Sequence, residues 1–384
     1  MKKIAIIGAS YLQNPLILKA KEMGLETHVF AWGTGDVGEK TADFFYPISI
    51  TEVDKILERC QEIGIDGITT IASDLATRAV GYVANAMGLA GNSLTCVEKS
   101  TNKELMRKAF YKNGDPSPKS VRVTKNTALG DLGVTYPVIV KPSDRSGSRG
   151  ITKLESPVGL ESAIAKALEQ SFSGVALVEE YARGREYSVE YISYHGIHRF
   201  LTITEKFTTG APHFIETAHL EPGRLPATMV EEVKGVVSHA LDSLGVTDGA
   251  SHSEIKISAD GAINIIEIGA RMGGDCIGSD LVRLSTGYDF TRAVIDVAMG
   301  TKPRALPCSS TGAAAVRYVF NESDVEVLHC LEREHPDFLV RATEVGAFDR
   351  EVVDSGSRFG SFVFSAPDVE SIAQYLPAHS CDEW

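Results

Sequence analysis

The stretch SHSEIKISADGAINIIEIGAR, Ser251 to Arg271, reads as two apolar strands around a turn. Asp260-Gly261 is a strong two-residue hairpin signal. A loop of those two residues pairs Ala259 with Ala262 and, counting outward, sets Glu254 directly opposite Glu267. Cross-strand neighbours on one face stand about 5 Å apart, where like charges destabilise each other unless a cation lies between them. Acidic oxygens without soft ligands suit Mg2+ or Mn2+, and Mg2+ usually completes its shell with water and substrate phosphates. The alternatives are a slipped register, or one Glu neutralised by Lys256 or Arg271.

A metal held by two carboxylates calls for phosphates, and a second stretch supplies a place for them. YPVIVKPSDRSGSRGI, Tyr136 to Ile151, passes from an apolar strand into a loop rich in Gly, Ser and Arg. A Walker-type loop places its lysine after the glycines, at the start of a helix. Here Lys141 comes first and is embedded in VIVKP. Gly147 and Gly150 allow the backbone to approach an anion, while Arg145, Ser146, Ser148 and Arg149 surround phosphate oxygens and Lys141 adds a point charge. A loop of this kind is expected to close over nucleotide as a lid. A third stretch, VALVEEYARGREYSVE from Val175, is a strand running into a short loop. Its backbone around Glu180 to Ala182 can meet an adenine edge, and Glu186 can accept ribose hydroxyls.

The rest of the chain frames these three. KIAIIGAS, THVFAW and GITTIA alternate with helical segments near Pro15–Met23, Val53–Glu62 and Leu75–Met87, which predicts a parallel sheet. GASYLQ lacks the later glycines of a dinucleotide fingerprint; Ser10 and Gln13 are instead placed to touch a small substrate. A helix is predicted from Thr101 to Asn113, others at 160–170 and 229–244, and strands with one closing helix from Gly312 to Leu376. Net charge of -13 argues against nucleic-acid or membrane-surface binding. Six scattered cysteines without a C-x-x-C pair fit reduced thiols. With no signal-like or membrane-spanning stretch, a soluble cytoplasmic protein is expected.

Taken in order, these residues resemble the ATP-grasp superfamily over roughly Asn102 to Gly300. That resemblance implies an α/β chain: a Rossmann-like pre-ATP-grasp domain (1–100), a linker helix (101–118), and an ATP-grasp fold of two α+β subdomains, a small lid subdomain (119–182) and a C-terminal subdomain (183–384) with the metal and substrate sites. It implies that Lys103 and Lys141 contact ATP phosphates together with Ser146, Gly147, Ser148 and Arg149. Glu179, Glu180, Tyr181 and Ala182 read adenine, Glu186 holds ribose, and Glu254 and Glu267 hold Mg2+ or Mn2+. One departure is Gly269, where many members carry Asn. PHFIETAHLEPGRLP and EIGARMGGDCIGSDLV look like the carboxylate-amine ligase branch that includes L-amino acid ligases. Its chemistry is acylphosphate formation with release of ADP, then attack by an amine. Arg271 and Lys141 would be catalytic, and His213, Glu216, His219, Arg271, Gly273 and Gly274 would meet the substrates, a small carboxylate and an amine. A homodimer stays open. Two other readings remain, a bicarbonate- or formate-activating relative of biotin carboxylase or the purine-synthesis ligases, and a non-catalytic nucleotide-binding regulator.

Overall fold

The computed structural model describes residues 1–384 except 129, 131, 146, 148, 308–311 and 381–384. Its described strands form three sheets. The first is parallel, in the order Phe44–Tyr46, Glu26–Phe30, Lys3–Ile7, Gly67–Thr69. After Lys3 the strand KIAII is a continuous apolar run, because both of its faces are covered. Ala5 and Ile7 meet Ile56, Cys60 and Val83 from two following helices. Ile4 and Ile6 meet Leu16 and Ile17, and also Val294 and Val297 of the helix Phe290–Ala298. The N-terminal sheet thus shares a core with a helix almost three hundred residues away, which no local pattern announces.

The second sheet is antiparallel, in the order Ser120–Val123, Ala176–Glu180, Val138–Pro142, Thr152–Leu154. Helix Leu160–Gln170 covers it with Ala163, Ile164 and Ala167. The third has eight strands, in the order Ile263–Gly269, Gly249–Ile257, Arg185–Tyr194, Ile197–Thr208, Glu216–Glu221, Ala313–Val319, Gly360–Ala366, Leu339–Ala342. Helix Ala227–Leu244 packs Val233, Val237 and Leu241 on one face of it.

Two expectations are revised. The helix expected from Thr101 is two helices, Leu94–Thr101 and Lys103–Asn113. Asn102 separates them in extended conformation, and its side chain caps the second by accepting from the Glu104 and Leu105 N–H groups. Met106 and Phe110 of that helix are fully buried in the core under the large sheet, so it is packed as core. The tail carries a second, longer helix, Glu322–Glu334, started by a capping box between Asn321 and Asp324.

The decisive hairpin reaches its expected pairing by a different route. The loop is one residue longer than predicted. The Ser258 N–H bonds the Ala262 carbonyl at 3.0 Å, and Gly261 takes φ +88°, as a three-residue hairpin loop requires. Ile255 then faces Ile265, and a bulge leaves Ile266 as the extra residue. That slip restores the register, so Glu254 stands opposite Glu267.

Candidate active site

The two antiparallel sheets and the N-terminal unit enclose a cleft of about 1190 Å³, counting its open mouth. Lys103, Lys141, Gly147, Arg149 and Arg271 line it, with Glu179 to Ala182 and the three carboxylates Glu186, Glu254 and Glu267. Ser146 and Ser148 lie outside the described residues.

The two facing carboxylates are each met by a lysine. Lys206 Nζ lies 2.9 Å from Glu254 Oε1 and 2.7 Å from Glu186 Oε1, and 3.8 Å from Glu216. Lys103 Nζ donates to Glu267 Oε1 at 2.7 Å and to the Arg145 carbonyl at 2.7 Å. Neither Lys256 nor Arg271 is the partner that the alternative reading supposed. Burial works against the charged form of Glu254, but Lys206 and His252 more than offset it and hold its carboxyl well below the usual range. Among the described residues no group of three or more His, Cys, Asp or Glu is arranged to hold a metal ion. The donor set is therefore two hard carboxylates whose lysine bonds both run to Oε1. That set fits a hard divalent cation that takes its remaining ligands from water and phosphate, and it would not by itself cage one.

On the other wall, Lys141 is 5 % exposed and its Nζ lies 2.5 Å from Glu179 Oε2. Burial lowers its pKa, with Glu179 opposing the shift. Arg107 grips the same carboxylate, Nε to Oε1 at 2.9 Å and Nη2 to Oε2 at 3.2 Å. Burial would raise the Glu179 pKa, but Arg107 and Lys141 bring it down to about 2. Glu179, expected at adenine, has both side-chain oxygens bonded to cations inside the protein. The Glu180 and Tyr181 N–H groups are also used, by the Lys119 and Pro137 carbonyls. The Tyr181 ring lies between Lys153 and Lys256, at 4.4 and 4.7 Å.

Arg271 lies two residues past the end of its strand, its fork on Asp74 at the start of the helix Asp74–Met87, at 2.8 and 3.2 Å. A Cβ at Gly269 would sit 3.0 Å from Asp74 Oδ1 and 3.3 Å from Arg271 Cζ, so a side chain there would have to push the ion pair aside by a few tenths of an ångström.

Several expected substrate contacts are not brought to the cleft. His213 is exposed on a turn, while His219 is buried, 4.0 Å from Asp275 and edge-on to Tyr318. Gly273 lies against the ion pair of His252 and Glu190, where a Cβ would come within 2.8 Å of His252 Nδ1, and Gly274 lies against Ala72. The glycines are there for close packing. Ser10 and Gln13 are spent on each other and on the Ile71 carbonyl. Of that set, Glu216 and Arg271 line the cleft. Sequence reasoning passed over Asp74, Arg107 and Lys206. Lys206 had a signal, a lysine inside the strand LTITEKFT, the same anomaly that marked Lys141.

With this geometry the comparisons agree. Residues 134–280 match the ATP-grasp domain family. The sequence is 25% identical to alanine–anticapsin ligase of Bacillus subtilis strain 168, over 78% of this chain and 70% of that one. The structure superposes on an L-amino acid ligase from Bacillus licheniformis with TM-score 0.82 at 22% identity, covering 98% of this chain and 96% of that one. It superposes on phosphoribosylglycinamide synthetase from Anaerococcus prevotii with TM-score 0.78 at 18% identity, covering 97% and 96%. At such identities the two superpositions establish the fold, the ATP-grasp fold with its preceding α/β unit. No helix among the described residues is long and apolar enough to cross a membrane.

Proposed function

Taking the chain as the ATP-grasp ligase that its domain match and its relatives make it, we propose that it joins a small carboxylate to an amine, both of them amino acids, through an acylphosphate. ATP lies in the cleft with its base toward Ala182 and the Glu180 carbonyl and its ribose at Glu186. Lys103, Lys141, Gly147 and Arg149 take the phosphates, with Ser146 and Ser148 completing the loop. Glu254 and Glu267 would hold Mg2+ or Mn2+, which when bound neutralises charge on the phosphate oxygens. A substrate carboxylate oxygen attacks the γ-phosphorus, the bond to the β-phosphate oxygen breaks, and ADP leaves. The amine then attacks the acyl carbon, phosphate departs with the acyl C–O bond pair, and the ammonium formed loses its proton to solvent. Arg271, held by Asp74, is placed to stabilise the oxyanion of that step. Glu216 and Lys206 stand at the substrate side of the cleft.

The observation that carries this reading is the convergence of the Glu254/Glu267 pair, Lys141 and the Arg271–Asp74 pair on one cleft. This chemistry asks for positioning and charge neutralisation, with no nucleophilic side chain. The reaction is assigned to the cytoplasm. Screening amino acids in pairs for ATP-dependent phosphate release, with mass analysis of products, tests it. Phosphate release that needs two amino acids supports the proposal; release driven by bicarbonate or formate alone refutes it.

A further inference from the structure

Arg107 belongs to none of the motifs read from the sequence and does not line the cleft, yet it is 6 % exposed and joins three elements. Its Nε and Nη2 hold Glu179 on the strand Ala176–Glu180, here the hinge strand, and Nη2 also donates at 2.6 Å to the carbonyl of Ile266, the bulged residue beside Glu267. Glu179 in turn holds Lys141 of the lid strand. Three charges, all nearly excluded from water, therefore form one chain, Arg107–Glu179–Lys141.

We propose that Arg107 is a positioning residue that keeps the Lys141 ammonium available to the nucleotide phosphates by occupying Glu179. Two cations on one anion give the buried triad a net charge of +1. Remove Arg107 and the triad sums to zero. Lys141 then has a carboxylate to itself at 2.5 Å, and in a low-dielectric setting that pair is satisfied without phosphate. The Ile266 contact gives the residue a second effect, since it links the hinge strand to the bulge that sets Glu267 in register. Arg suits this position because its planar fork meets both oxygens of one carboxylate from two nitrogens while also reaching a carbonyl, a geometry that the single nitrogen of a lysine does not reproduce.

The inference rests on the ATP reading, and the test separates the two. Affinity for ADP and for adenosine is measured calorimetrically with Mg2+ present, for wild type, Arg107→Lys, Arg107→Met and Arg107→Met/Glu179→Gln. Arg107→Met should weaken ADP at least about tenfold while adenosine changes less than about threefold, because only the phosphates meet the lost charge. The double variant restores the net charge of +1 on Lys141 alone and should recover most ADP affinity, although both native partners are gone. Arg107→Lys keeps the charge, folds most readily, and should bind ADP within a few-fold of wild type. A purely structural role predicts the opposite order, with the double variant the weakest. ADP affinity unchanged in Arg107→Met, equal loss for adenosine, or no recovery in the double variant each overturns the inference. Wild-type protein that binds neither ATP nor ADP overturns the ATP reading itself.

Discussion

Glu221 is a carboxyl with no exposure to solvent, at the end of the strand Glu216–Glu221. Thr204 donates to its Oε1 at 2.8 Å and Ser285 to its Oε2 at 3.0 Å, with no cation in that set. Burial, with the Glu190 charge assisting, raises its pKa to about 8, against 4.5 ordinarily. The folded value lies above the unfolded one, so the protonated form's stabilisation is complete below about pH 4.5 and is lost as pH rises through 8. The difference corresponds to about 5 kcal/mol in all, of which about 3 kcal/mol goes between about pH 5.5 and about pH 9. At about 2.1 cal/mol/K per residue, a chain of 384 residues unfolds with roughly 0.8 kcal/mol/K, so that loss is worth about 4 °C in Tm. Glu221→Gln cannot ionise and keeps the shape and both hydrogen-bonding positions. Thermal scans of the two proteins should agree most closely near pH 5.5, diverge as pH rises toward 8 and level off above it, the variant becoming the more stable by about 4 °C relative to the acid comparison. Parallel pH profiles would show that the Glu221 proton is not retained in the folded protein, and the reasoning from burial would fail.

Three other outcomes follow from the site. Glu267→Gln should keep the hairpin and the fold but cut turnover roughly a hundredfold or more at any magnesium concentration; wild-type turnover across a magnesium titration would remove Glu267 from the metal assignment. Arg271→Ala should lower turnover about a hundredfold, as loss of one preorganised donor does, with ADP affinity nearly unchanged, and a loss confined to nucleotide affinity would exclude the oxyanion role. Amide exchange at Arg145, Gly147, Arg149 and Gly150 should slow when a non-hydrolysable ATP analogue binds, whereas equal exchange with and without it would argue against a closing loop.

Much of the architecture was legible because it depends on local signals. KIAII carries the apolar run of a two-sided parallel sheet, and a helical apolar period marks helix Leu160–Gln170. The Glu254/Glu267 pairing was also legible, though by offsetting departures. The turn is one residue longer than the Asp-Gly signal implies, and the bulge at Ile266 returns the slip. Bulges have no sequence signature of their own, so a register argument carried outward from a turn holds only up to the first one. What stayed hidden is what depends on distant partners. Asp74 belongs to the first unit, and nothing near it announces Arg271, 197 positions later. Arg107 looks like any charged residue on an amphipathic helix until the fold buries it. Gly269 read as a missing ligand, and it lies close against the Asp74–Arg271 ion pair. The glycines and histidines expected at the substrate do not line the cleft for a related reason, since residue type marks capacity for chemistry while packing decides which groups face it.

The central claim, an acylphosphate route, stands or falls on which phosphate bond breaks. Lys141, Lys103 and the Glu254/Glu267 pair line one cleft, and with ATP placed there as proposed they meet its terminal phosphates, which calls for cleavage between the β and γ phosphates. Nucleotide products should be quantified by chromatography while the protein turns over with an active pair of amino acids. ADP and phosphate, equal in amount to a product whose mass is the sum of the two amino acids less one water, is the predicted result. AMP and pyrophosphate would mean an adenylate, and would contradict the account.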